Sequence, residues 1–112
     1  MQTREIEKDN WQSFFDQVSR VLQGKLIQIE VDSLELGAQT ELDKLSLNGL
    51  TYDKKDDAFI ISTEEIEHVI HSPKQIFVAD GTEGINSLQV RSADGTEQII
   101  SFVEPLALPP AG

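Results

Sequence analysis

The chain has 112 residues, the length of one domain that can bury a single apolar core without disulfides or a structural metal. Twenty acidic side chains against nine basic ones give a net charge of −11 and a pI near 4.4, a surface that repels phosphate backbones and anionic lipid, so that neither nucleic acid nor membrane is an expected partner. Cysteine is absent, which excludes thiol catalysis, iron–sulfur ligation, disulfides and thiolate zinc sites and favours a reducing compartment.

Residues 1–8 are charged and read as a frayed tail. They hold no apolar signal-peptide core, and no run in the chain approaches the ~18 apolar residues of a membrane span, so the expected location is the cytoplasm. The first helix follows. Asp9 is placed to cap it, with Gln12 completing a capping box, and Trp11, Phe14, Phe15, Val18, Val21 and Leu22 form one apolar stripe. Gly24 stands where a left-handed C-cap residue belongs. A stripe carrying three aromatics must bury against something, and every later segment reads as strand.

Leu26 to Asp32 alternates, with Ile27, Ile29 and Val31 on one face. Ser33 to Gly37 turns the chain, and Ala38 to Asp43 reads as a weaker strand at an edge. Leu45 and Leu47 share one face, whereas Leu50 and Tyr52 have the opposite parity. The phase flips across Asn48-Gly49, which predicts a bulge that wraps the sheet around the helix. Asp53 to Asp57 is a charged turn whose spacing does not match a calcium loop. Ala58 to Ser62 is apolar on both parities, as a buried central strand would be.

Glu64 to Pro73 fits either a strand or a helical turn. Pro73 discourages helix at Ser72 and favours strand. Gln75 to Ala79, Ser87 to Arg91 and Gln98 to Phe102 read as strands, the last two joined through an Asp94-Gly95 hairpin signal. Asp80 to Gly84 is a loop. The tail from Pro105, with Pro109-Pro110, is expected to lie extended and outside any ladder.

Few residues carry chemistry. His68 and His71 are the two histidines. In a helical turn they would share a face beside Glu64 and Glu67 and could hold a metal; in a strand they point to opposite faces. The strand reading predicts no metal site. No Gly-x-Ser-x-Gly elbow and no phosphate loop is present, so no catalytic residue is assigned and no cofactor is expected. Tyr52 and Trp11 could line a pocket, although aromatics on such a stripe belong more often to a core.

Thr3-Arg4-Glu5-Ile6, Trp11-x-x-Phe14-Phe15, Gly49-Leu50-Thr51-Tyr52-Asp53, His68-Val69-Ile70-His71-x-Pro73 and Ser92-Ala93-Asp94-Gly95-Thr96 together resemble a small bacterial family of about this length, known as a domain of unknown function. The resemblance implies a bacterial, free-standing protein and transfers no activity or site. A helix followed by bent strands is also similar in order to Sm-like small barrels, without their basic RNA site.

The expected architecture is α+β, mainly β: one domain over residues 1–112, with 1–8 and 105–112 as flexible or extended tails. Its N-terminal helix packs on a strongly bent antiparallel sheet of about five or six strands, with a partly open barrel as the limiting form. The expected function is a non-enzymatic protein–protein interaction or assembly module, of open oligomeric state. The alternative is a small-molecule or metal-binding protein, or a hydrolase, centred on His68, His71 and Tyr52. A deep pocket at those residues would favour the alternative; an exposed strand edge would favour the module.

Overall fold

The computed structural model describes residues 2–20, 24–33, 37–81 and 84–106, without the side chains of 2, 38–43 and 104–106. Among the described residues there are eight strands and one α-helix: β1 (Gln2–Ile6), a 3-10 turn (Lys8–Asn10), α1 (Trp11–Val18), β2 (Leu26–Ser33), β3 (Gly37–Asp53), β4 (Ala58–Thr63), β5 (Glu67–His71), β6 (Pro73–Gly81), β7 (Gly84–Ser92) and β8 (Glu97–Leu106). The order across the sheet is β1-β6-β7-β8-β2-β3-β4-β5, and every pairing is antiparallel.

The mainly β class and the helix-on-sheet arrangement are as expected. The count of five or six strands is too low, and the Sm-like order fails because a strand precedes the helix. Residues 1–8 hold that strand. Thr3, Arg4 and Glu5 are all exposed and only Ile6 turns inward, so β1 shows no apolar alternation to find, yet its backbone pairs with β6 along its length. Pro105 likewise lies within β8, and Leu106 pairs with Ile85.

Strand β3 sets the bend. Gly37–Ser46 pairs with β2 and Leu47–Asp53 with β4, so one 17-residue strand changes partner half-way. Ala38 to Asp43, read as an edge strand, is the part that pairs with β2. The predicted bulge sits at the change of partner, between Leu47 and Gly49. It lets both parities face the core: Leu47, Leu50 and Tyr52 are all buried. A Cβ built on Gly49 would meet no described atom within 4 Å, so no close approach of the protein's own backbone demands the glycine at this bend.

A single residue, Ser72, joins β5 to β6, which lie near opposite ends of the strand order. That connection requires the sheet to curl back on itself. Ser72 adopts a left-handed backbone (φ 52°); its N–H donates to the Asp57 carbonyl at 2.9 Å, and its own carbonyl accepts the Ala93 N–H at 3.0 Å. The curl stops short of closure, because no ladder joins β5 to β1 or β6 among the described residues.

Helix α1 lies inside the curl. Trp11, Phe15 and Val18 are buried against Leu50, Tyr52 and Phe59, with Phe15 tilted on Phe59 at 4.7 Å. The Trp11 indole N–H donates to the Ile6 carbonyl at 2.8 Å, tying β1 to the helix start. Its far end is pinned by Ser19, whose hydroxyl donates to the Leu50 carbonyl at 2.8 Å and accepts the Leu50 N–H at 3.3 Å.

Both expected caps are corrected. The N-cap is Asn10, with no side-chain bond, because Asp9 is drawn into the preceding 3-10 turn. The helix ends at Val18; Gly24 (φ 83°) instead opens the β2–β3 ladder, its N–H donating to the Leu47 carbonyl at 2.9 Å. Val21 and Leu22 lie outside the described residues.

Candidate functional site

Tyr52 stands near the end of β3, where the bulge has turned its ring into the core. It pairs with Phe59 on β4, which pairs with Ile70 on β5, so the three share the inner face. The ring meets Trp11 edge-on at 5.0 Å, and the phenol donates to Asp57 Oδ1 at 2.7 Å. Asp57 reaches that position from a left-handed backbone (φ 50°). Burial first, then the bond to Asp57 and its charge, push the phenol up to about 12. The phenol therefore stays protonated at neutral pH and is engaged as a donor to Asp57.

Two shallow depressions adjoin this ring and share Gln12, Tyr52 and Lys54. The more enclosed, of ≈ 300 Å³, is completed by Lys8 and Asp9; the other opens toward Asp53, Lys55 and Ile60. Lys8 Nζ is 3.8 Å from Asp57 and 5.7 Å from the Trp11 ring. Both signs of charge line this ground.

His68 lies in strand β5 and faces inward beside Ile61 and Leu50. Its Nε2 is 2.6 Å from Oε1 of Gln98 on β8. An amide oxygen accepts, so the imidazole donates there, and the pair bridges the interior between β5 and β8. Gln98 is buried and takes its partner from this contact. His71 is exposed on the opposite face, as the period of a strand requires. Tyr52 and His68 both point inward, two strands apart, with Phe59 and Ile61 between them. The three candidate residues therefore share no site. No group of three potential metal ligands occurs among the described residues.

Sequence reasoning passed over the approach to β5. Thr63 builds a tight turn there: its hydroxyl donates to the Ile66 carbonyl at 2.8 Å and accepts the Ile66 N–H at 3.0 Å. The turn throws Glu64, Glu65 and Ile66 outward, and Glu67 is exposed at the head of β5. Ile66 is 44% exposed. β5 packs chiefly on β4, and its far edge carries no strand among the described residues. The edge at β1 carries both signs of charge, Arg4 and Glu5, with Arg4 bound to Asp80 at 2.7 Å and lying over Phe14 at 5.8 Å. The only local signal for the β5 edge was the Thr-Glu-Glu-Ile-Glu run, which looks like an ordinary solvated stretch.

Comparison with known proteins bears out the resemblance to a bacterial family. The sequence model of a family of unknown function (DUF5335) matches residues 2–111. An uncharacterised protein of Aquifex aeolicus (strain VF5) is 36% identical over 110 residues, covering 97% of this chain and 99% of the relative. No solved structure matches the chain. No helix among the described residues is long and apolar enough to cross a membrane.

Proposed function

The chain belongs to this family of unknown function, and we propose that it is a non-enzymatic, cytoplasmic protein–protein interaction module whose β5 edge takes up an extended, Lys- and Arg-rich segment of a partner. The observation that carries this reading is the β5 edge, which carries no further strand among the described residues and is headed by an exposed Ile66 set among Glu64, Glu65 and Glu67. An extended segment added to a sheet edge gains main-chain hydrogen bonds, while side-chain contacts set the choice of partner. Here the contacts are one apolar anchor and three carboxylates, and a chain of net charge −11 steers cations toward them. A second copy is a poorer partner for this edge than a basic segment, since it too carries a net charge of −11. The reducing compartment inferred from the absence of cysteine supports the cytoplasmic placement.

The test is an anisotropy titration with a labelled peptide of alternating Lys and Val. Saturable micromolar binding is expected, weakening as salt rises to about 0.5 M. The triple change Glu64→Gln, Glu65→Gln, Glu67→Gln should weaken it by about tenfold. The control triple Glu30→Gln, Asp32→Asn, Glu97→Gln should leave it within about twofold, because those carboxylates stand on β2 and β8, at least three strands from β5 in the sheet order. Equal losses from both triples would mean general attraction of a cation to an acidic protein, and would overturn the assignment of the edge.

A further inference from the structure

The strands β6, β7, β8 and β2 bury one face against the helix side, and no described element covers the other. The register sets out that outer face. Phe77, Gln89, Ile99 and Glu30 lie side by side across the four strands. In the next row stand Ala79, Ser87, Ser101 and Gln28. Beyond them are Leu26 and Val103, 43% and 53% exposed, which the same register places as neighbours.

Charge is nearly absent here. Glu30 is the one charged member of those two rows. Arg91 and Glu97, at one end, neutralise each other: Arg91 Nε donates to Glu97 Oε1 at 2.8 Å and Nη1 to Gln75 at 3.1 Å, with the guanidinium 5.6 Å above the Phe77 ring. Glu5 on β1 and Asp32 at the tip of β2 stand at the rim. In a chain of net charge −11 the two central rows, with Glu30 alone charged, are a patch of low charge.

We propose that this face is a two-fold interface with a second copy of the chain. Elsewhere copies repel, and two such faces meet with little charge between them. The carboxylates of this face gather at one end, where Asp32 pairs with Glu97 beside Glu30, whereas the other rows offer a second copy the same flat surface of low charge, self-complementary about a two-fold axis. Ala79, Ser87 and Ser101 are small enough to let two sheets approach to the usual ~10 Å, with Phe77 and Ile99 beside them to interdigitate. Four strands ~4.8 Å apart and about eight residues long give a face of roughly 500 Å² in projection. Two such faces reach about the 1,000 Å² at which specific interfaces begin, so the dimer should be weak and concentration-dependent.

Sedimentation equilibrium between about 5 and 200 µM tests it, a span chosen to bracket a weak dimer. A monomer–dimer equilibrium is expected whose association strengthens with salt, because salt screens the repulsion between two acidic copies. That sign is opposite to the one expected for peptide at the β5 edge, so either proposal can fail alone. Ser101→Glu and, independently, Leu26→Glu should weaken association by at least about tenfold, each placing like charges across the axis. Thr51→Glu, on an exposed position of β3 outside this face, should not. Circular dichroism melts identify any variant that fails to fold, and Leu26, already largely exposed, is the safer of the two. A monomer at every concentration and salt, or a dimer unmoved by both substitutions, would overturn the proposal.

Discussion

The inner and outer faces of the same strands are built from almost the same backbone and differ in what lies across from them. On β8, Gln98, Ile100 and Phe102 are buried under the curl, while Glu97, Ile99 and Ser101 are half-open. On β7, Val90 and Leu88 are fully enclosed where Arg91 and Gln89 are not. The inner face owes its burial to α1 and to β4 and β5 folding over; without them it would be as open as its reverse. Stability and recognition thus divide by side-chain parity, and a residue's neighbour in sequence is no guide to which task it serves.

The largest expected effects fall on the inner side. Phe15→Ala empties a fully buried site against Phe59 and should cost about 3–5 kcal/mol in denaturant melts. Ile99→Ala, of similar chemistry on the outer face, should cost under ~1 kcal/mol at concentrations where the chain is monomeric. Phe14, adjacent but only half-buried, should fall between them. Equal losses at positions 15 and 99 would mean that the outer face is covered in the folded monomer, and the comparison would break.

Glutamine offers a matched pair on the two faces. Gln98 is buried and bonded to His68, whereas Gln89 is half-exposed and bonded to Glu97 Oε2 at 2.9 Å. Gln98→Ala strands the imidazole in the interior and should cost about 1–3 kcal/mol, while Gln89→Ala lets water replace the lost partner and should cost under ~0.5 kcal/mol. The coupling between His68→Ala and Gln98→Ala, measured by a double-mutant cycle, should be positive and disappear between His68→Ala and Gln89→Ala.

These contrasts also mark what the sequence made legible. The bulge was readable because Asn48-Gly49 interrupts an apolar run at a change of parity, and β5 was readable as strand because Pro73 bars a helix before it. The hairpin at Asp94-Gly95 was equally plain: Asp94 Oδ1 accepts the Thr96 N–H at 3.0 Å, and Gly95 sits at φ 89°. Strand β1 was hidden because an edge strand with one inward residue has no pattern. Among the candidate site residues, parity correctly separated His68 from His71. It could not reveal that His68 would meet Gln98, since that contact depends on how far the sheet curls. The outer face was illegible for a related reason: half-polar alternation looks the same whether a strand faces water or a partner.

Tyr52 reports on the inner face by spectroscopy, being the one tyrosine in the chain. Its phenol is raised from 10.0 to about 12, so the folded state favours the protonated form. The stability this contributes is fully present below pH 10 and is lost as pH rises from 10 toward 12. Phenolate absorbance in the folded protein should therefore appear near pH 12, or abruptly at a lower pH if alkaline unfolding intervenes. Tyr52→Phe should remove that component of alkaline sensitivity and, by losing the bond to Asp57, lower stability at neutral pH by about 0.5–1.5 kcal/mol. A phenol titrating reversibly near pH 10 in folded protein would place Tyr52 in water and undo the burial described here.

A small effect is expected where an ion pair is most conspicuous. Arg91 and Glu97 form the best-aligned pair on the outer face, yet their side chains are 44% and 26% exposed. In that setting the Coulomb gain is screened and offset by the side-chain entropy lost, so each of Arg91→Ala and Glu97→Ala should cost no more than ~1 kcal/mol, and about half of that should vanish in 1 M salt. Arg91→Ala has a further consequence that stability does not register. It leaves Glu97 uncompensated beside Asp32 and Glu30, so association of two copies should weaken while the monomer's melt barely moves. Arg91→Ala with Glu97→Gln restores neutrality and should restore association without restoring the pair. If the double variant stays as monomeric as the single, the pair acts through its geometry over Phe77, and the neutrality of the face is not what holds two copies together.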